Sequence, residues 1–311
     1  MIYIKDLREG DHVNSVYLCR QRTSAVTRNG KPYDNCILQD KTGQIDAKIW
    51  DPNSEGIGDF QGLDYVEVVG DVSLFNGALQ ISIRRARYVD PKNVNPSDFF
   101  PVSERDPAEM DSELSEQISL VQESHLQRLL EILFVDNTEI AAAFKRSSAA
   151  KSVHHSFIGG LLEHTLSVTR TCMFFCDRYP VMNRDLLRTA ALCHDIGKIR
   201  EFSDFPVNDY TDEGQFIGHI IIGAQMLEDA IRRIDGFPED LRMQLIHCIL
   251  AHHGEYEYGS PKKPALMEAM ALHLADNADA KLESFKEALA AGNGSGWLGY
   301  NRLFESNLYK P

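Results

Sequence analysis

The sequence predicts a multidomain β + α chain, a small closed β-barrel followed by an all-helical domain. Three observations predict it. Residues 1–90 are dense in β-branched and aromatic residues cut by Gly-containing turns. Residues 91–111 hold four prolines and no hydrophobic period. From residue 112 to about 290 the apolar residues recur at helical spacing.

The first region divides into five strands, expected over residues 13–27, 35–40, 44–50, 65–73 and 79–89. Asn29-Gly30, Lys41-Thr42-Gly43 and Asn76-Gly77 supply the turns, the last a two-residue hairpin signal. In the third strand Ile45, Ala47 and Ile49 alternate with Gln44, Asp46, Lys48 and Trp50. Leu79, Ile81 and Ile83 alternate with Gln80, Ser82 and Arg84 in the fifth. One face is therefore buried and the other polar. Five strands in some 80 residues fit an OB-like barrel, a fold whose open face often binds oligonucleotides. Trp50, Tyr17 and Phe75 are candidates to stack on bases, and Lys48, Arg22 and Arg84 to follow phosphates.

Pro91, Pro96, Pro101 and Pro107 mark residues 91–111 as a linker, with turns docked through Phe99-Phe100. Helices are then expected over residues 112–134, 138–146, 158–178, 184–192, 215–234, 239–252 and 265–290. Residues 291–311 carry Trp297, Tyr300, Phe304 and Tyr309, an aromatic tail expected to dock on its own protein or on a neighbouring subunit of a homo-oligomer.

Composition narrows the function classes. The 311 residues carry a net charge of −14, which argues against a bulk electrostatic grip on nucleic acid. Residues 1–90 hold 11 Lys/Arg and 13 Asp/Glu, so the acidic excess lies almost wholly in the helical region. A bound polyanion must then be held by a local groove or by metal ions. No apolar run is long enough to span a membrane, and the N-terminus lacks a signal peptide's apolar core. Six cysteines without CxxC pairs read as core residues of a cytoplasmic protein.

The chemistry centres on Leu192-Cys193-His194-Asp195-Ile196-Gly197-Lys198. Adjacent imidazole and carboxylate groups can grip one divalent cation, and the second carboxylate oxygen can bridge to another. His164, His219, His252-His253 and Asp276 fall at helix ends or on apolar faces of the same region. Five histidines and two aspartates suit two octahedral-leaning ions sharing Asp195. With no thiolate in the set, a closed structural zinc site is disfavoured. Manganese fits best, with iron or cobalt as alternatives; calcium prefers all-oxygen shells.

The order His164 … His194-Asp195 … Asp276 resembles the signature of the HD superfamily of metal-dependent phosphohydrolases. With the barrel, the chain is more specifically similar to YhaM-type 3′-to-5′ exoribonucleases. The similarity runs through Asp40-Lys41-Thr42-Gly43-Gln44-Ile45, the stretch from His154-His155-Ser156 to Glu163-His164-Thr165, His252-His253-Gly254 and Tyr300-Asn301-Arg302-Leu303-Phe304. That resemblance implies one ion held by His164, His194, Asp195 and Asp276, and another by Asp195, His219, His252 and His253. It implies Lys198 at the scissile phosphate beside the catalytic Asp195, and His154 and His155 as orienters or substrate contacts. The implied activity is hydrolysis of single-stranded RNA, and of single-stranded DNA as a further candidate, from the 3′ end to nucleoside monophosphates. Hydrolysis of small or cyclic nucleotides and a non-enzymatic single-strand-binding role are the alternatives. His12, His125, His247 and His273 are read as structural.

Overall fold

The computed structural model describes residues 1–151, 155–292 and 294–311. They form two compact units: Met1–Val102 with Phe205–Val207, and Ser103–Asp204 with Asn208–Pro311.

The first unit is a closed barrel of β1 (His12–Val26), β2 (Pro32–Asp40), β3 (Gly43–Ile49), β4 (Tyr65–Phe75) and β5 (Ala78–Val89). The strands pair in the order β1-β2-β3-β5-β4, and β4 closes back on β1. All pairs are antiparallel except β3 with β5. This is the partly parallel Greek-key closure of an OB barrel. The alternation seen in the sequence sets the core, with Ile45, Ala47 and Ile49 of β3 packing against Ile81 and Ile83 of β5. Asn76 and Gly77 make the β4–β5 hairpin at φ 51° and 82°, the positive values that an Asn-Gly turn supplies. Residues expected to link the units belong to the barrel as far as Val102. Phe99 is buried against Tyr65 at 4.7 Å, and its carbonyl accepts from Gln39.

The second unit holds α1 (Pro107–Ser119), α2 (Ser124–Glu131), α3 (Thr138–Arg146), α4 (Gly160–Arg178) and α5 (Arg184–Cys193). After these come α6 (Lys198–Glu201), α7 (Asp212–Phe216), α8 (His219–Ile231), α9 (Glu239–Ala251) and α10 (Met267–Ala291). Two breaks correct the expected helices. The run over 112–134 is interrupted after Ser119, where the Asp185 carboxylate accepts from the backbone N–H groups of Gln122 and Glu123 and Glu123 caps α2. The helix itself begins earlier, at Pro107, behind an Asp106 cap. The run over 215–234 breaks at Gly218, whose φ of 77° and ψ of 152° end α7 and start α8 at His219. The tail folds as a hairpin of β6 (Gly296–Asn301) and β7 (Ser306–Lys310). Phe304 meets Phe285 of α10 at 4.9 Å, while Trp297 and Tyr300 stay exposed.

Candidate metal centre

Helix α5 is buried from Leu186 to Cys193, and Asn183 caps its start through Leu186 N–H at 3.1 Å. It delivers His194 and Asp195 into the core, where both are at most 2% exposed. Gly197 follows because nothing larger fits: a Cβ there would meet the His219 carbonyl at 2.1 Å. The start of α8 therefore rests on this turn, which puts His219 beside Asp195. Gly254 acts similarly, at φ 78°, where a Cβ would meet the His273 ring.

Around Asp195 the donors form two groups, one for each carboxylate oxygen. Oδ2 lies 3.5 Å from His164 Nε2 and 3.4 Å from His194 Nε2. Those two nitrogens are 3.2 Å apart, and His164 Nε2 is 3.2 Å from Asp276 Oδ1. Oδ1 lies 3.5 Å from His219 Nε2 and 3.6 Å from His252 Nε2, with His253 completing the second group. Ligands at ~2.1 Å from a common ion stand about 3–4 Å from one another, and these atoms lie 3.2–3.9 Å apart.

The tautomers agree. Nδ1 of each of the five imidazoles is engaged away from the centre: His194 with Ala191 O, His252 with Ile249 O and His253 with Tyr258 O, at 2.7–2.9 Å. His164 Nδ1 meets Asp279 Oδ2 at 2.7 Å, and His219 Nδ1 meets Glu201 Oε1 at 2.9 Å. The Nε2 atoms turn inward. His219 Nε2, His252 Nε2 and both Asp195 oxygens are buried without a hydrogen bond. Lys198 Nζ stands 2.7 Å from Asp195 Oδ2 as an ion pair, off the line of a hydrogen bond. Unpaired buried acceptors are costly, and divalent cations would satisfy this set. The donors present fit such ions.

Electrostatics point the same way. Burial opposes charge on His164, but Asp276 and Asp279 outweigh it and raise its pKa to about 9. Burial pulls His194 and His253 down to about 4. Burial also opposes charge on Asp195, yet Lys198 and the surrounding imidazoles hold its carboxyl well below the usual range. The centre is thus built around anionic carboxylates and a cation.

A cavity of about 500 Å³ opens on the centre, lined by His164, Lys198, His219, His253, Asp276 and, from its rim, Tyr210 and Tyr258. His273, read as structural, also lines it and bonds the His252 carbonyl through Nδ1 at 3.0 Å. All seven predicted ligands converge. His155 is buried, bonds Asp279 through Nε2 at 3.1 Å and does not line the cavity. His154 lies outside the described residues. Asp279 and Glu201 lie outside the residues that the sequence singles out; the signal that marks them is helical spacing, Asp279 three residues after Asp276 and Glu201 three after Lys198.

On the barrel, Trp50 is 53% exposed and stacks with Tyr33 at 5.6 Å. Lys48 stands over the Tyr33 ring at 5.0 Å. Phe75 is exposed and shares a groove with Lys48. Arg84 is exposed but lies 3.0 Å from Asp71. Two predicted contacts are corrected. Tyr17 is fully buried, because the alternation that begins at Val13 points it inward, and its hydroxyl donates to Ile2 O at 2.8 Å. Arg22 is half-buried and engaged by Asp34 at 2.7 Å and by the Phe60 carbonyl and ring, which leaves its guanidinium hydrogen bonds committed within the barrel.

Residues 161–281, which carry the seven residues of this centre, match the HD domain family. The chain is 35% identical over 281 residues to the 3′-5′ exoribonuclease YhaM of Bacillus subtilis, covering 90% of this chain and 88% of that protein. It is 35% identical over 289 residues to the YhaM of Shouchella clausii, covering 92% and 89%. The chain belongs to the YhaM family of 3′-5′ exoribonucleases. Among solved structures, the second OB-fold domain of replication protein A from Methanococcus maripaludis aligns with 30% of this chain and 98% of that one, at 18% identity and a TM-score of 0.24.

Proposed function

We propose that this protein is a metal-dependent 3′-5′ exoribonuclease that hydrolyses single-stranded RNA, and also single-stranded DNA, to nucleoside monophosphates. The observation that carries the reading is Asp195, whose two buried oxygens face separate histidine groups beside a cavity of one-nucleotide scale.

The donor sets fit two divalent cations, most simply Mn2+, since imidazole and carboxylate without thiolate suit it. Iron or cobalt would suit the same donors. Such ions supply an activated water and neutralise charge at the phosphate when bound. His164, His194 and Asp276 would hold one, His219, His252 and His253 the other, and Asp195 both. Lys198 lines the cavity with its ammonium at the bridging carboxylate. There it can meet a non-bridging phosphate oxygen and stabilise the charge that grows on it. Burial favours its neutral form, but Asp195 outweighs this and keeps it protonated. Trp50, Tyr33, Lys48 and Phe75 give the barrel a stacking face for the strand. The six cysteines are free and buried, and among the described residues no helix is long and apolar enough to cross a membrane. Both features suit a cytoplasmic enzyme. The exposed Trp297 and Tyr300 suit a homo-oligomer contact.

The test is a digestion with Mn2+ of RNA labelled at the 5′ end or the 3′ end. Stepwise shortening of the 5′-labelled strand, with immediate release of labelled mononucleotide from the 3′-labelled one, is expected. Intact oligomer alongside hydrolysed mononucleotides would reject the exonuclease reading.

A further inference from the structure

Two carboxylates that bind no ion in the scheme above occupy matching places in it. Of the five ligand imidazoles, three are held at Nδ1 by neutral carbonyls. The other two, His164 and His219, are held by carboxylates, and they fall one in each donor group. A carboxylate partner orients a ligand imidazole and raises its basicity more than a carbonyl does.

Asp279 does this from α10, one turn beyond Asp276. Its Oδ2 accepts from His164 Nδ1 at 2.7 Å and from His155 Nε2 at 3.1 Å, while Oδ1 takes the Ser167 hydroxyl. It therefore ties the ligand on α4 to the helix that carries Asp276. Glu201 does the equivalent from α6, one turn beyond Lys198. A single oxygen, Oε1, accepts both the backbone N–H and the Nδ1–H of His219, each at 2.9 Å. The ring and the first turn of α8 are set by one atom.

We propose that Asp279 and Glu201 are paired positioning residues, one for each ion. Asp279 governs the cation at His164, His194 and Asp276; Glu201 governs the cation at His219, His252 and His253. The proposal rests on the two-ion reading of the centre. Its consequence is separability: neutralising one carboxylate weakens its own ion and leaves the other in place. If either residue only ties helices together, metal affinity will move no further than the fold does.

The test is a Mn2+ titration of the metal-stripped full chain, with free Mn2+ read by its electron paramagnetic resonance signal. Wild type, Asp279→Asn and Glu201→Gln are compared, with His194→Ala and His253→Ala marking the two steps. Unfolding midpoints are taken in chelator for every variant. Asp279→Asn should weaken by about 10–100-fold the step that His194→Ala removes. Glu201→Gln should weaken the step that His253→Ala removes by a similar factor. Ser167→Ala, which frees only Asp279 Oδ1, should weaken the first step several-fold and serves if Asp279→Asn fails to fold. Loss of the same step in both carboxylate variants, no change in either step, or losses that only track the unfolding midpoint would overturn the proposal. A wild-type protein that binds fewer than two ions would overturn the two-ion reading instead.

Discussion

Both units bury carboxylates, and they treat them in opposite ways. In the barrel, Asp34 is 3% exposed and accepts from Arg22 Nε and the Ser24 hydroxyl, each at 2.7 Å. Asp40 is as deeply buried and accepts from the backbone N–H groups of Ile4 and Thr42 and from the Thr42 hydroxyl. Every neighbour is a donor. In the helical unit, Asp195 is equally buried but faces four imidazole nitrogens whose other ring nitrogens are already engaged as donors. Lys198 is the neighbouring cation there, but His219 Nε2 and His252 Nε2 face the carboxylate without a hydrogen bond, an arrangement that divalent cations would complete. Burial alone does not separate a structural carboxylate from a functional one; the chemistry of its neighbours does.

The comparison is most exposed at Asp195 itself. Asp195→Ala should lower Mn2+-dependent RNA cleavage by at least about 10³-fold, since it removes a ligand of both ions. In chelator, however, its unfolding midpoint should fall by less than that of Asp34→Ala, because the partner lost is the Lys198 ion pair alone, whose ammonium lines the cavity. Asp34→Ala should do the reverse: it strands a largely buried arginine and should cost about 3 kcal/mol in denaturant unfolding. If Asp195→Ala unfolds the metal-free chain more than Asp34→Ala does, the contrast is broken.

Metal addition gives the next effect. Mn2+ at a hundred times the dissociation constant of each site should stabilise wild type by about 2.7 kcal/mol per ion, read as a rise in midpoint, and should fail to do so for Asp195→Ala. On the barrel, Trp50→Ala should weaken RNA capture by about 1–2 kcal/mol, seen as a higher KM with kcat nearly unchanged. Equal losses in kcat would show that Trp50 belongs to the chemistry instead.

The smallest effect shows that the contrast concerns partners and not units. Glu113 of the helical unit is surrounded by donors, with Arg105 and Arg170 at 2.6 Å. Burial would raise its pKa, but the two arginines outweigh burial and hold it below its ordinary value near 4.5. A carboxyl depressed in the folded state stabilises above its unfolded pKa, and that stability is lost as pH falls through the folded value. Glu113→Gln should therefore cost at most ~1 kcal/mol at pH 7 once solvent screening is counted. Its midpoint should converge on wild type as the pH falls below about 4.

Much of this was legible before the fold was known. The period-two pattern of β3 and β5 set the barrel's inner face, and Asn76-Gly77 set its hairpin, because both act within a few residues. Tyr17 follows the alternation that starts at Val13, but the backbone acceptor that lets its hydroxyl stay buried, Ile2 O, is supplied only by the fold. The helix breaks at Leu120 and Gly218 depended on Asp185 and Glu201, partners from other helices.

The sequence by itself determined the strand alternation and the seven donors of the centre, since residue type and spacing specify which atoms can bind a cation. Only the tertiary structure decided that Asp195 Oδ2 faces one histidine group and Oδ1 the other, and that Asp279 and Glu201 stand behind one ligand in each. Those relations join helical residues up to 115 positions apart in the chain. They follow from side-chain packing across α4, α5, α8 and α10, which no local pattern encodes.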